Sequence, residues 1–121
     1  MSEKKDVLVF IKHILENISD IEKFSKDVSE KELKEDSMRQ KAIIKSIEII
    51  GEATKNIPGE IKRKYPLIPW KDVVGMRDKL IHHYFGVDLT TIWKVIKEDL
   101  PDLKEKILKI KKDLEETGNK K

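Results

Sequence analysis

Branched apolar residues recur every three or four positions along most of this chain, and this spacing is typical of amphipathic helices. The first helix is predicted from Asp6 to Phe24, with a core-facing stripe of Val7, Ile11, Ile14, Ile18 and Ile21. No segment alternates apolar and polar residues between hairpin turns, and no repeat of fixed length appears. The pattern therefore predicts an all-α fold, an antiparallel up-and-down bundle of about four to five helices.

A polar connector separates the first helix from the second. Within residues 25–36, Ser29 precedes Glu32 by three positions, a capping-box spacing that predicts a short helical turn. Ser37 has the same relation to Gln40 and is predicted to cap the second helix. The two caps divide the first half of the chain into helix, connector and helix.

The second helix has more than one apolar face. Ile44 and Ile49 lie away from its main stripe, which consists of Ile43, Ile47, Ile50, Ala53 and Ile57. Pro58 and Gly59 close the helix. Because a second apolar face needs cover, we expect burial within the bundle or a contact with a second copy.

Prolines and glycines delimit the helices of the second half. A short helical piece is expected over residues 60–65, and the prolines within residues 66–69 force an extended turn. The next helix is predicted from Trp70 to Phe85 and should end at Gly86.

Asp88 is placed to cap the last helical stretch. Pro101 fits a first-turn position or a kink. The stripe of this stretch consists of Ile92, Val95, Ile96, Leu103, Ile107, Ile110 and Leu114. Beyond it, residues 115–121 form a polar tail that we expect to be frayed.

Size and composition narrow the classes of function. A chain of 121 residues suits one domain spanning residues 1–121, and the absence of cysteine excludes disulfides, thiolate nucleophiles and cysteine-based zinc sites. The formal net charge of +3 permits contact with nucleic acid without requiring it. No apolar run is long enough for a membrane span or a secretory signal, so we expect a cytoplasmic protein without membrane partners.

Arg77 interrupts the apolar stripe of the predicted helix 70–85. On a helix it would lie about 20° from Tyr84, where a hydrophobic side chain is expected. A buried cation without a partner is very costly. Arg77 therefore reaches the solvent, pairs with a carboxylate of another helix, or forms an anion site at an interface.

His82 is the candidate acid or base. On a helix it would follow Asp78 by one turn, and a carboxylate so placed could orient the imidazole and raise its pKa. An ordinary surface pair has the same spacing, and His83 stands in a similar relation to Lys79. The adjacent histidines point about 100° apart, which does not match a zinc-binding pair, so no metal site is predicted.

Arg77 and His82 would lie about 140° apart on a straight helix. A two-fold dimer that pairs this helix with its own copy, or a cleft in which the long side chain of Arg77 wraps round, could bring them to one phosphate. We therefore expect a composite site.

The string from Arg77 to Tyr84 fits the motif Arg, any four residues, His, any one residue, Tyr of HepT toxins in the HEPN superfamily. The chain resembles these toxins along nearly its whole length. Further matching segments are IIGEA at residues 49–53, IPW at 68–70, GMRD at 75–78 and HYFGVD at 83–88.

The resemblance implies a dimeric helical toxin that cleaves RNA without a metal ion or other cofactor. Arg77 would bind the scissile phosphate, His82 would act as acid or base, and Asp78 could orient His82. It also implies an antitoxin partner, a minimal nucleotidyltransferase that attaches AMP to Tyr84. The modification adds bulk and negative charge that would compete with RNA for Arg77.

Two other interpretations use the same surface. The chain could be a non-catalytic helical module that binds a nucleotidyltransferase and presents a nucleotide or substrate to it. It could also be a structural homodimer in which Arg77 completes an ion pair at the interface.

Overall fold

The computed structural model describes the backbone of residues 2–82 and 86–119, and the side chains of residues 6–80 and 88–116. Over these ranges the chain forms an all-α bundle, which confirms the predicted fold class. In chain order the helices are α1 (Ser2–Ser25), α2 (Glu30–Glu35), α3 (Ser37–Lys55), α4 (Gly59–Lys64), α5 (Trp70–Val74), α6 (Met76–Leu80), α7 (Leu89–Lys94) and α8 (Leu100–Asn119). None of the helices in the described ranges is long and apolar enough to cross a membrane.

The core lies where α1 packs against α3 and α8. All five predicted stripe residues of α1 are buried there. The predicted stripe of the second helix is buried as well, including Ile57, which lies just beyond the end of α3. Burial of branched side chains is the main favourable term in folding, about 1.5–3 kcal/mol for each. The most deeply buried residues are Ile11, Ile14, Ile18, Ile21, Leu33, Ile43, Ile47, Ile50, Leu80, Ile92, Ile107 and Ile110.

The predicted capping box at the start of α2 is confirmed. Ser29 Oγ accepts the Glu32 backbone N–H at 3.1 Å, and Glu32 Oε1 accepts the Ser29 backbone N–H at 3.0 Å. These bonds favour the ionised carboxylate and hold the pKa of Glu32 below its ordinary value.

The predicted cap of α3 is wrong by one residue. Asp36, not Ser37, is the cap, because its Oδ1 accepts the Arg39 backbone N–H at 3.0 Å. Gln40 does not complete a capping box; its Nε2 donates to the Leu33 carbonyl at 2.8 Å. A carboxylate next to a serine offers the stronger acceptor to the helix N-terminus.

The predicted helix from Trp70 to Phe85 is also wrong. Gly75 separates two short helices, α5 and α6, and its N–H donates to the Lys71 carbonyl at 3.0 Å. Beyond α6 the chain is extended: β1 (Ile81–His82) pairs antiparallel with β2 (Gly86–Val87), with His82 opposite Gly86. Gly86 therefore lies in a strand pair and does not end a helix.

The last helical stretch is continuous from α7 to α8. Asp88 caps α7, as predicted, through its Oδ1 and the Thr91 backbone N–H at 3.0 Å. A π-helical segment, Val95–Asp99, precedes Pro101, which lies in the first turn of α8. Because a proline ring clashes with the carbonyl four residues earlier, the wider π turn gives it room.

Candidate functional site

Two buried side chains fix α6 against the bundle and turn Arg77 outward. Met76 and Leu80 are buried, whereas Arg77 and Asp78 between them are exposed. The Leu80 carbonyl also accepts the Asp88 backbone N–H at 2.8 Å, which ties the end of α6 to the start of α7. The break at Gly75 thus places Arg77 at the rim of the bundle.

A glycine on α3 lets α5 approach closely. A Cβ at Gly51 would lie 3.2 Å from the Val74 carbonyl oxygen and 3.7 Å from that of Val73. The first distance is shorter than ordinary van der Waals contact. Gly51 therefore sets the separation between α3 and the segment that carries Arg77.

Arg77 forms an ion pair with Glu48 of α3. Its Nε lies 2.6 Å from Glu48 Oε2, with the two side chains 48% and 32% exposed. The hydrogen bond that Arg77 donates to Glu48 raises the pKa of Arg77, and Asp78 adds a smaller contribution of the same sign. Two of the three alternatives for Arg77 therefore hold together: it reaches the solvent and it pairs with a carboxylate of another helix.

The guanidinium keeps donors for a further acceptor. Arginine carries five N–H donors, of which Glu48 uses the one on Nε. Nη1 makes a long contact of 3.4 Å with Asp78 Oδ1, and Nη2 makes no hydrogen bond to any residue that the structure describes. One edge is therefore fixed by α3 while the other faces the solvent.

Two further charged residues of α6 lie beside Arg77, and neither is one helical turn from a histidine. Asp78 is 83% exposed and contacts Arg77 Nη1, while Lys79 Nζ pairs with Asp72 Oδ1 at 3.5 Å. The predicted helical spacing from Asp78 to His82, and from Lys79 to His83, does not apply because α6 ends at Leu80.

His82 lies two residues after the end of α6, and its backbone is held by its pairing with Gly86. The angular separation of about 140° between Arg77 and His82 no longer applies, because it assumed one straight helix. His83 and Tyr84 lie outside the described residues. The expected roles of His82, Asp78 and Tyr84 remain predictions.

Metal ligands do not cluster in the described part of the chain. No three His, Asp or Glu side chains there lie close enough to hold a metal ion.

No pattern in the sequence points to Glu48. It lies on α3, 29 residues before Arg77, and only the packing of α5 and α6 on α3 brings them together. A possible signal is Gly51, one helical turn further along, because a glycine inside a helix often marks a close approach.

Comparison with known proteins shows that these residues lie within a segment shared with a known protein family. The model of a family described as "Ribonuclease HepT-like" matches residues 14–110, a range that contains Glu48, Arg77, His82 and Tyr84. No solved structure matches the chain.

Several curated proteins are similar over most of the chain. A "Gamma-glutamylcyclotransferase and putative RNase" of Methanocaldococcus jannaschii is 50% identical over 98% of this chain, which spans only 53% of that protein. A "Putative RNase" of the same organism is 47% identical, covering 93% of this chain and 97% of its own length. A "Probable ribonuclease HepT" of Thermococcus cleftensis is 48% identical over 85% of this chain and 94% of its own length.

Proposed function

The chain belongs to the HepT-like ribonuclease family, and through it to the HEPN superfamily, and we propose that it cleaves RNA through Arg77 and His82. The observation that carries this assignment is that one edge of the Arg77 guanidinium is bound by the protein and the other is open. Glu48 fixes its Nε, while the Nη edge faces the solvent with donors available for a phosphate.

Arg77 neutralises the scissile phosphate in the proposed reaction. Charge that builds up on the phosphate oxygens is stabilised most by a donor that is already oriented, and Glu48 supplies this orientation. An arginine guanidinium is charged at neutral pH, and the hydrogen bond to Glu48 raises its pKa further.

His82 transfers the proton. As the ribose hydroxyl oxygen bonds to phosphorus, its proton passes to a base, and the leaving oxygen takes a proton from an acid. An imidazole serves either role near neutral pH. We assign His82 to act as this acid or base because the family motif selects it over His83. Asp78 is the candidate to orient it.

We extend the proposal to a toxin that acts as a homodimer. In the HEPN toxins that the chain resembles, the motif lies in a cleft between two copies. A site shared in this way would place Arg77 and His82 of different subunits on one phosphate.

The proposed control is the attachment of AMP to Tyr84 by a cognate nucleotidyltransferase. The added phosphate would compete with RNA for Arg77. Incubation of the protein with a cognate nucleotidyltransferase and ATP should add the mass of AMP to the peptide that contains Tyr84. The variant Tyr84→Phe should stay unmodified, and label on any other peptide would contradict the assignment.

Cleavage of RNA by the purified protein in excess chelator tests the ribonuclease assignment. Wild type should cut, whereas Arg77→Ala and His82→Ala should each lose about 100-fold or more in rate, the usual effect of removing an anion-stabilising donor or a general acid. His83→Ala is the matched control and should stay within about three-fold of wild type. Absence of cleavage in all four proteins, with several RNAs, would refute the proposal and favour a non-catalytic module.

A further inference from the structure

A shallow groove of about 740 Å³ runs along the outside of α5 between α3 and α4. Its lining includes Trp70, Lys71, Val74 and Gly75 of the segment that leads to Arg77. Lys55 at the end of α3 and Lys62 of α4 also line it. The groove therefore combines an apolar floor with the side chains of three lysines.

The three lysines of the groove carry uncompensated positive charge. None of Lys55, Lys62 and Lys71 has a carboxylate within 4.0 Å among the described residues. Among the other described lysines, six have one, namely Lys34, Lys79, Lys104, Lys106, Lys109 and Lys111, and the rest do not, so the groove is distinguished by three unpaired lysines that line it together. The acidic residue of the groove, Asp72, is paired with Lys79. Unpaired ammonium groups around one groove attract a polyanion.

The floor of the groove is rigid and aromatic. Trp70 Nε1 donates to the carbonyls of Lys62 and Tyr65, each at 3.0 Å, which holds the indole in place while its ring contributes to the lining. Val74 beside it is exposed. Unpaired bases stack on such surfaces, whereas the stacked bases of a duplex do not reach them.

The groove borders the segment that carries Arg77. Gly75 lines the groove and lies two residues before Arg77 in the chain, while the Val74 carbonyl lies close to Gly51 of α3. On α3, Glu48 and Lys55 are separated by seven residues, about 10 Å at 1.5 Å per residue. A strand of several nucleotides could reach from one to the other.

We propose that this groove binds the single-stranded part of the RNA substrate and feeds it to Arg77. The inference rests on the proposed ribonuclease function and adds the residues that hold the substrate beside the cleaved bond. Lys55, Lys62 and Lys71 contact phosphates, while Trp70 and Val74 contact bases. A second copy of the chain is a poorer occupant, because its matching groove would bring like charges together.

Binding of a fluorescent oligoribonucleotide to the inactive His82→Ala protein, followed by anisotropy, tests the groove apart from catalysis. Adding Lys55→Glu and Lys71→Glu should weaken binding at least about ten-fold and make the salt dependence shallower by about 0.7 for each lost phosphate contact. The matched control adds Lys12→Glu and Lys23→Glu, the same change of charge on α1. Lys23 lies in the last turn of its helix, as Lys55 does. The control should stay within about two-fold.

Equal weakening in the two charge-reversed proteins would overturn the groove, because it would show a general effect of net charge. In the active protein, the groove substitutions should raise KM and leave kcat within about two-fold. The lost contacts would hold the substrate and the transition state equally well, so their loss weakens binding without slowing the chemical step. Cleavage with an unchanged KM would refute the groove and leave the ribonuclease assignment intact. Groove-dependent binding without any cleavage by wild type would refute the ribonuclease and keep the groove.

A spectroscopic readout locates the strand. The chain has two tryptophans, so Trp93→Phe leaves Trp70 as the single indole. Stacked bases should quench its fluorescence on binding. Binding of full strength without quenching would place the RNA elsewhere on the surface and overturn the proposal.

Discussion

Arg77 serves two purposes through two edges of one side chain. The Nε edge is bound by Glu48, and the Nη edge is left for a ligand. Glu48 orients the guanidinium, but its negative charge also opposes an approaching phosphate. These two effects of one carboxylate can be separated by substitution.

Glu48→Gln removes the charge of this residue and keeps an oxygen that can accept the Nε–H. We expect RNA to bind about two- to five-fold more tightly, since an opposing charge near the phosphate is lost. Glu48→Ala removes the orienting bond as well and should lower kcat about ten-fold. Anisotropy with the His82→Ala protein gives the affinity, and single-turnover cleavage gives the rate. Weaker binding by Glu48→Gln would contradict the proposed competition between Glu48 and phosphate.

At the residue scale, the sequence singles out some members of the site and not others. Arg77 is the candidate that the sequence itself marks, because a cation interrupts the predicted apolar stripe. Glu48 could not, since its contact with Arg77 depends on how α5 and α6 pack on α3. Resemblance alone selects His82 over His83, because each histidine follows a charged residue by four positions in the sequence. The helix that would bring these residues together ends at Leu80.

The elements that position the site are α3 and the broken helix α5–α6. Gly51 of α3 lies close to the Val74 carbonyl of α5, Glu48 lies about one turn before Gly51, and Arg77 lies three residues after Val74. The distance between these elements therefore depends on the absence of a Cβ at Gly51.

Gly51→Ala should disturb this packing. The new Cβ would press on the Val74 carbonyl, and the clash should outweigh the gain in helix propensity, with a net loss of about 1 kcal/mol in the free energy of unfolding. Cleavage should fall as well, because Arg77 would move relative to Glu48. Denaturant unfolding and the cleavage rate measure the two effects.

The control for Gly51→Ala is Gly59→Ala. Its Cβ would meet only the end of the Arg63 side chain, which can move away, so stability should change by less than about 0.5 kcal/mol. Stabilisation by Gly51→Ala would show that the close approach to α5 is not restrictive.

A hydrogen bond between Tyr65 and Asp113 ties the turn after α4 to α8. Tyr65 Oη donates to Asp113 Oδ2 at 2.7 Å. Burial, with a further contribution from Asp113, raises the pKa of Tyr65 from 10.0 to about 12, and the bond lowers the pKa of Asp113 from 3.8. A raised tyrosine pKa stabilises the fold below pH 10 and loses that effect as the pH rises toward 12. A lowered aspartate pKa stabilises it above pH 3.8 and loses that effect in more acidic solution.

Tyr65→Phe should therefore lower the Tm by about 2–4 °C at neutral pH. The difference from wild type should shrink as the pH rises from 10 toward 12, because the wild-type tyrosine then ionises beside a carboxylate. Thermal unfolding followed by circular dichroism at several pH values measures this. A difference that stays constant to pH 12 would contradict the assigned cause.

At the element scale, prediction from the sequence succeeded where a periodic pattern was long. The stripes of α1 and α3 are buried as their spacing predicts, and the caps at Ser29 and Asp88 are confirmed. The helix over residues 70–85 failed, because its apolar spacing continued through Gly75 and into residues that form a strand pair. Local spacing does not reveal that α5 and α6 are separate helices, since their ends are fixed by contacts with other elements.

At the scale of the whole molecule, the proposed site requires two copies of the chain. Arg77 lies at an exposed rim, and its Nη edge meets no other described group of the same subunit except Asp78. A second subunit that supplied His82 would complete the site. Sedimentation of the purified protein should therefore give twice the 14.2 kDa mass of the chain.

Heterodimers purified through two different affinity tags test most directly whether Arg77 and His82 act together across subunits. In a dimer of Arg77→Ala with His82→Ala, one of the two shared sites is intact, so the cleavage rate should be about half that of wild type. A dimer of wild type with the double variant Arg77→Ala/His82→Ala should be inactive, because each shared site then lacks one residue. The reverse result, an inactive first dimer and a half-active second one, would contradict a site shared between subunits.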